Sequence, residues 1–417
     1  MRGIFSLCFP ALMLLGSAAT AATSLPEIKL TAADGKANEA FGWSVAISGT
    51  TAIVGAVGDR DGGDRGGAGY LFDTRTGAQI GKLAADDDTD SFVESVAVSG
   101  DTAIISTFSR DGVTGSVSVF DVASGTRTTR LTAGDTVNDV FGAAVAISGG
   151  TAIVGAFGDD AHGINSGAAY LFDSGTGEKL ARLTANDPAD GNTFGWSVAI
   201  SGNTAIVGGI GDSHQGAYAG SAYLFDSSTG EQIAKLTAED SAAFAYFGIS
   251  VAISGNTAIV GAFGDQEKGI SAGAAYLFDT TTGAQIAKLT AEDGWASGYF
   301  GYSVAISGGL AVVGAPFDRV AGVYSGSAYV FDIATGAQIA KVGPSDGLYF
   351  DQFGHSVALS GTNLIVGAFA QDDGTGAAYL YDLSSLVAPA PVPLPAGIWL
   401  LGSALGLGAF AARRRNA

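Results

Sequence analysis

Three closely spaced aspartates offer the first candidate chemistry in this chain. They are Asp59, Asp61 and Asp64, in a glycine-rich stretch that begins at Gly58. Ca²⁺ prefers carboxylate and carbonyl oxygens, and this spacing of acids could wrap such an ion. The terminal bidentate Glu of a full EF-hand loop is missing, so a solvated acidic loop is the alternative. Calcium is the only cofactor that the sequence suggests.

A second candidate chemistry is stacking on aromatic rings. Aromatic residues are concentrated in irregular segments between residues 218 and 350, whereas the corresponding segments nearer the amino terminus are mostly Gly, Asp and Thr. Such rings could stack on sugars or anchor a protein partner. The alternative is that they pack the loops against one another. The candidate ligand-binding residues are Tyr218, Phe244, Tyr246, Trp295, Tyr299, Tyr324, Tyr349 and Phe350.

The chain shows no recognisable catalytic constellation. Its three histidines, His162, His214 and His355, have no metal-ligand spacing, and no serine stands in a G-x-S-x-G motif at a strand-to-helix turn. A carboxylate pair for glycoside chemistry could be drawn from 40 acidic residues, but nothing in the sequence selects one. The single cysteine, Cys8, lies in an amino-terminal segment expected to be removed. We therefore predict a protein without enzymatic activity.

The charge balance excludes one class of partner. The formal net charge at pH 7 is −20, and such a surface repels nucleic acid and anionic lipid. The negative charge remains compatible with cation binding and with basic or neutral partners. It is equally compatible with a role in solubility alone. We predict no nucleic-acid partner.

A repeat determines the elements that must position these residues. Phe-Gly, Ser-Val-Ala-Ile-Ser-Gly, Thr-Ala-Ile-Val-Gly-Ala and Ala-Tyr-Leu-Phe-Asp recur in this order at a period of about 50 residues, which is typical of propellers and solenoids. Each copy contains four strand-like runs separated by turn signals. In one copy these runs are 197–201, 204–208, 221–226 and 232–238. The anchors are Phe41, Phe92, Phe141, Phe194, Phe247, Phe300 and Phe353.

The two ends of the repeat predict a closed ring. The last copy lacks a fourth strand, and the segment from Glu27 to Ala32, before the first copy, resembles the missing one. Pairing them would remove an exposed sheet edge. We predict an all-β, seven-bladed β-propeller of four-stranded antiparallel blades over residues 23–385, closed by this amino-terminal strand. The second-to-third and fourth-to-first loops should share one face, and most acidic residues fall in them.

The repeat resembles the FG-GAP repeats of integrin α-subunit propellers and their bacterial relatives. Phe-Gly stands at six of seven anchors, with Phe92-Val93 the exception, and the later Gly-Ala pair becomes Ser106-Thr107 in the second copy. The resemblance implies a seven-bladed propeller used for recognition, with calcium in some first-hairpin loops. Asp101 is the only acid at that turn in any copy, so those calcium sites are not expected here.

Both chain ends are predicted to carry targeting signals. Residues 1–22 have Arg2, an apolar run from Ile4 to Leu15 and a small-residue cleavage site, as in a secretory signal peptide. A Pro/Ala linker at 386–391 precedes a carboxyl-terminal segment, 392–417, with an apolar stretch and an arginine cluster. The motif residues in that segment are Val392, Pro393, Leu394, Pro395, Ala396, Arg413, Arg414 and Arg415.

This order of motif, span and arginines resembles the PEP-CTERM sorting signal in its V-P-L-P-A form. The resemblance implies an exosortase as processing partner, transient contact with the inner membrane, and delivery to the surface of a Gram-negative bacterium. A single-pass tail anchor is the alternative. The expected function is adhesion, binding or a role in an exopolysaccharide matrix through a glycan or protein ligand. The alternatives are a structural matrix component without a ligand and a secreted polysaccharide hydrolase or lyase.

Overall fold

Seven four-stranded antiparallel sheets form the ring predicted from the repeat. The computed structural model describes residues 25–58, 67–84, 91–109, 115–134 and 139–387. The first compact unit ends at Asp382, and a second unit, beginning at Leu383, contains one 3-10 turn at Ser384–Leu386. Among the described residues, no helix has the length and apolar character needed to cross a membrane.

Strand β1 (Glu27–Leu30) precedes the first blade. Blades one to three contain β2 (Phe41–Ser48), β3 (Thr51–Ala56), β4 (Ala68–Asp73) and β5 (Gln79–Ala84); β6 (Ser91–Ser99), β7 (Thr102–Ser109), β8 (Gly115–Asp121) and β9 (Arg127–Leu131); and β10 (Phe141–Ser148), β11 (Thr151–Ala156), β12 (Ala168–Asp173) and β13 (Lys179–Leu183).

Blades four to six contain β14 (Phe194–Ser201), β15 (Thr204–Gly209), β16 (Ser221–Asp226) and β17 (Gln232–Leu236); β18 (Val251–Ser254), β19 (Thr257–Ala262), β20 (Ala274–Asp279) and β21 (Gln285–Leu289); and β22 (Ser303–Ser307), β23 (Leu310–Ala315), β24 (Ser327–Asp332) and β25 (Gln338–Val342). Blade seven contains β26 (Ser356–Ser360), β27 (Asn363–Ala368) and β28 (Ala377–Asp382), with the single turn α1 (Gln371–Gly374) between its last two strands.

The first strands of neighbouring blades contact one another around the ring, so they lie at its centre and the fourth strands lie outside. This position explains the composition of the second strand, which is apolar on both faces. Ala205, Ile206 and Val207 are fully buried because blades cover both sides of their sheet. Fourth strands alternate instead, and Ile233 is 45% exposed.

The anchor phenylalanines are core residues between sheets. Phe194 is fully buried, and its ring contacts the rings of Tyr223 and Phe225 edge-on, at centroid distances of 5.3 and 5.7 Å. Such edge-to-face pairs add to the stabilisation from burial itself. In the second blade, which departs from the repeat, Phe92 contacts Phe108 instead, at 6.1 Å.

At five of the seven anchors, backbone crowding requires the glycine that follows. Gly248 has a φ of +92°, and a Cβ there would lie 2.4 Å from the carbonyl oxygen of Ser221. No other residue fits both the left-handed backbone and the close approach. Each of these Phe-Gly pairs therefore places an aromatic core residue beside a tight strand crossing.

Ring closure occurs as predicted. Strand β1 pairs antiparallel with β28, with Glu27 opposite Tyr381 and Leu30 opposite Ala378. The Tyr381 hydroxyl donates to Glu27 Oε2 at 2.7 Å, and Leu30 is 1% exposed. The amino-terminal strand thus completes the seventh blade.

Candidate functional site

Backbone hydrogen bonds join the two classes of connection on one face of the ring, which we call the loop face. It comprises the second-to-third and fourth-to-first connections. The amide of Tyr246 donates to the carbonyl of Tyr218 at 3.0 Å, and one blade further on the amide of Tyr299 donates to Ser271 at 3.2 Å. These bonds satisfy backbone groups that have no strand partner. The loop face is therefore a defined surface rather than a set of separate loops.

Several aromatic residues of this face have a left-handed backbone. The φ values are 52° for Tyr218, 63° for Phe244, 53° for Tyr246, 57° for Tyr299 and 70° for Phe350. A non-glycine residue in this region costs about 1–2 kcal/mol. The same backbone occurs directly before other anchors, at Ala40, Val140 and Thr193, so at Tyr246 and Tyr299 it is a feature of the repeat that surrounding contacts impose.

The rings form one connected group across blades four to seven, which we call the aromatic strip. Tyr246 stacks on Phe263 at 5.0 Å, Phe263 contacts Tyr299 at 5.1 Å, and Tyr299 contacts Phe317 at 5.0 Å. Phe317 contacts Phe350 at 6.4 Å. The remaining members, joined to these through ring contacts, are Tyr218, Phe244, Trp295, Tyr324 and Tyr349.

The structure thus brings together every aromatic residue that the sequence analysis selected as a ligand-binding candidate. Their rings pack against one another, as the alternative hypothesis supposed, yet much of their surface stays accessible. The exposed fraction is 50% for Tyr218, 50% for Phe244, 62% for Tyr349 and 46% for Phe350. Exposed aromatic surface of this extent is typical of binding sites.

A pocket of about 190 Å³ opens within the strip. Its lining is aromatic except for one serine and consists of Trp295, Ser297, Tyr299, Phe317, Tyr324 and Phe350. Beside it, the guanidinium carbon of Arg319 lies 3.9 Å from the ring centre of Trp295 and 4.1 Å from that of Tyr324. Both distances are typical of cation–π contact.

Sequence reasoning missed Phe263, Phe317 and Arg319. A signal for Phe263 was present, because it directly follows the Gly-Ala pair of the second strand, as Phe157 and Phe369 also do; Phe317 stands one position later, after Pro316. These rings lie where the second strand leaves the sheet and enters the loop face. Arg319 carried no distinguishing pattern.

A second group of side chains lies at the centre of the ring. These residues stand two positions after an anchor phenylalanine, so first strands of different blades bring them together. The ring of His355 lies 4.6 Å from that of Trp43 and 5.1 Å from that of Tyr302, and Trp43 also hydrogen-bonds to Glu94. Trp196 contacts Phe157 of the preceding blade at 4.8 Å. Trp43 and Trp196 therefore pack between blades.

The aspartates that follow second strands are structural. Asp212 is 2% exposed, accepts a hydrogen bond from the Tyr223 hydroxyl at 3.1 Å, and forms an ion pair with Lys235 at 2.6 Å. This network holds the pKa of Asp212 well below its usual value, despite the opposing effect of burial. The same arrangement recurs at Asp265 with Tyr276 and Lys288 and at Asp318 with Tyr329 and Lys341. In sequence, Asp59 stands at the corresponding position before Tyr70.

Among the described residues, one cluster has the composition of a metal site. Ligand atoms of Asp187, Asp212 and His214 lie within 4.8 Å of one another. However, Lys235 Nζ lies 2.6 Å from a carboxylate oxygen of each aspartate, so an ammonium group already supplies the positive charge. This cluster does not fit a metal ion.

Several predicted sites fall outside the described residues. They are the calcium candidates Asp59, Asp61 and Asp64, the signal peptide at 1–22, and the sorting motif at 392–396 with the arginines at 413–415. Calcium binding and carboxyl-terminal sorting accordingly stay predictions.

Comparison with known proteins identifies the repeat. A family model described as FG-GAP repeat matches residues 26–72, 126–172, 178–225, 231–278, 284–331 and 337–381. These matches cover more than half of the chain, and they omit residues 73–125, which include the divergent pair Phe92-Val93. A search of curated proteins finds no match.

Proposed function

The chain belongs to the FG-GAP repeat family, and from this premise we propose that it is a binding or adhesion protein acting through the aromatic strip. Its ligand is an extracellular glycan or an envelope protein. The family's propeller fold is compatible with recognition, and the observation that carries the proposal is the strip itself. Its rings are held by paired loops, and much of their surface remains exposed.

The proposal includes export and a surface location. Its support is the sequence of the two chain ends, with a signal peptide at 1–22 and a V-P-L-P-A-type signal at 392–417. An exosortase-type enzyme would process the latter during transient contact with the inner membrane. Mass spectrometry of secreted protein should detect a chain that lacks both segments. An intact tail would favour a membrane anchor instead.

Binding to isolated extracellular polymer and to envelope fractions tests the role of the strip. Trp295→Ala and Tyr299→Ala should each weaken saturable binding, because both rings line the pocket. Ile164→Ala is the matched control, since Ile164 is 67% exposed in a second-to-third connection of blade three, outside the strip. Equal binding by all variants would reject the strip as the site.

The same assay separates the alternative functions. A structural matrix component without a ligand predicts no saturable binding to any fraction. A hydrolase or lyase predicts depolymerisation that is lost when one loop carboxylate is replaced.

A further inference from the structure

We propose that the pocket binds one uronic acid residue of an acidic polysaccharide, with the sugar ring stacked on aromatic side chains and its carboxylate paired with Arg319. This inference rests on the proposed binding function and names the class of ligand. Its geometric basis is the pocket, the guanidinium stacked on two of its lining rings, and the continuation of the strip to the neighbouring blade.

The pocket suits a group the size of one sugar ring. Its volume of about 190 Å³ is below the roughly 300 Å³ at which pockets for drug-sized ligands begin. Five aromatic rings line it, and the hydroxyl of Ser297 offers one polar group. Aromatic faces pack against the C–H surface of a ring, while a hydroxyl can bond to the polar edge.

Arg319 supplies the charge complementarity. Its guanidinium stacks on Trp295 and Tyr324 and donates to the Tyr324 hydroxyl, and among the described residues no carboxylate lies within ion-pair distance of it. By contrast, Lys235, Lys288 and Lys341 are all paired with acids. A stacked arginine is pre-organised for a carboxylate, because its planar donors are fixed in direction.

A second cation lies near the same loop. Lys268 Nζ donates to the carbonyl of Ala291 at 2.6 Å, and its aliphatic chain passes beside Gly294, next to Trp295. The net charge of −20 opposes an acidic ligand at long range, but the Debye length at physiological ionic strength is only about 8 Å. Screening therefore limits the opposing effect of distant acidic residues.

The strip favours a saccharide chain over a peptide. Tyr246 and Tyr299 occupy the same position in successive repeats, directly before an anchor phenylalanine, and both have a left-handed backbone. Tyr299 lines the pocket, and Phe263 lies between it and Tyr246, so the aromatic surface continues from the pocket to the neighbouring blade. A polymer of similar rings matches a repeated stacking surface, whereas a peptide ligand would need a different contact at each position.

Isothermal titration calorimetry on the full secreted protein tests this inference. The probes are short oligomers of galacturonate, mannuronate and glucuronate, each compared with its methyl ester, which keeps the ring and removes the charge. We expect at least one acid to bind about tenfold or more tightly than its ester, as a charge-assisted hydrogen bond predicts. Arg319→Met should abolish this preference, and Arg319→Lys should keep part of it. Phe350→Ala should weaken both forms, because it removes a stacking ring.

Lys179→Met is the control, since it removes a cation far from the strip, and thermal melting checks that each variant is folded. Equal affinity for acid and ester, or unchanged selectivity in folded Arg319→Met, would overturn the inference. Strip-dependent binding of neutral saccharides would also reject it while leaving the proposed function intact. Binding of an envelope protein but of no saccharide would likewise reject the uronic acid inference and leave the proposed binding function intact. Absence of any strip-dependent binding would reject both the uronic acid inference and the proposed binding function.

Discussion

The indole N–H of Trp43 donates a hydrogen bond to the carboxylate of Glu94 at the centre of the ring. The two residues stand two positions after Phe41 and Phe92, so neighbouring first strands bring them together. Burial raises the pKa of Glu94 to about 7, although the bond from Trp43 acts in the opposite direction. Burial also lowers the pKa of His355, on the other side of Trp43, to about 4.

The first prediction concerns stability against pH. Because the folded pKa of Glu94 lies above its unfolded value of 4.5, the native state retains the proton and this stabilisation is lost as pH rises from about 4.5 through 7. Glu94→Gln should therefore exceed the wild type in unfolding free energy by up to about 3 kcal/mol at pH 8, with little difference near pH 4. Protonation of His355 has the opposite effect, because the folded state loses stability as pH falls from 6.5 through 4. This contribution is the same in the wild type and in Glu94→Gln. Urea unfolding at several pH values measures the difference, and a pH-independent gap would contradict the assignment.

The second prediction concerns the buried ion pair of blade four. Lys235→Met leaves Asp212, which is 2% exposed, without its cation. Breaking a buried pair in this way should cost about 3–5 kcal/mol in denaturant unfolding. Lys179→Met serves as control and should cost less than about 1 kcal/mol, because Lys179 Nζ donates to the carbonyl of Ala133 and makes no ion pair among the described residues. Similar losses in both variants would argue against an Asp212–Lys235 pair.

The third prediction concerns ring closure. Leu30→Ala removes a side chain that is 1% exposed on the strand that completes blade seven, so it should cost about 2–5 kcal/mol. Ile80→Ala, on the fourth strand of blade one, should cost much less, because Ile80 is 55% exposed. Thermal and urea unfolding measure both. A tolerated Leu30→Ala would mean that β1 contributes little to closing the ring.

The fourth prediction separates backbone strain from crowding. Gly202 and Gly220 have φ values of +56° and +81°, but a Cβ at Gly202 meets nothing within 4 Å, whereas at Gly220 it would lie 2.0 Å from the carbonyl oxygen of Phe247. Gly202→Ala should cost about 1–2 kcal/mol from the left-handed backbone alone. Gly220→Ala should cost clearly more, since the Phe247 backbone must move. Equal losses in unfolding free energy would exclude the crowding.

The aromatic strip shows how far sequence reasoning reached into the candidate site. Tyr246 and Tyr299 could be selected because the residues at the same position of earlier repeats are not aromatic, as at Ala40, Val140 and Thr193. Their contacts with Phe263 could not be derived, because those rings belong to different blades and meet only in the assembled ring. Asp212 shows the reverse case. The sequence shows only an acidic residue in a second-to-third connection, but strand register places Asp212 against Tyr223 and Lys235, where it is buried.

The sequence by itself determined the seven blades, their four strands and the closing strand. A repeated pattern of anchors, alternation and turns specifies local pairing without information from distant parts of the chain. Only the tertiary structure decided which side chains of different blades come together. The Trp43–Glu94 bond, the pocket beside Arg319 and the continuous strip all depend on blade twist, loop pairing and ring closure, which act between residues about one repeat or more apart. A local pattern cannot encode those distances, because they result from the packing of the complete ring.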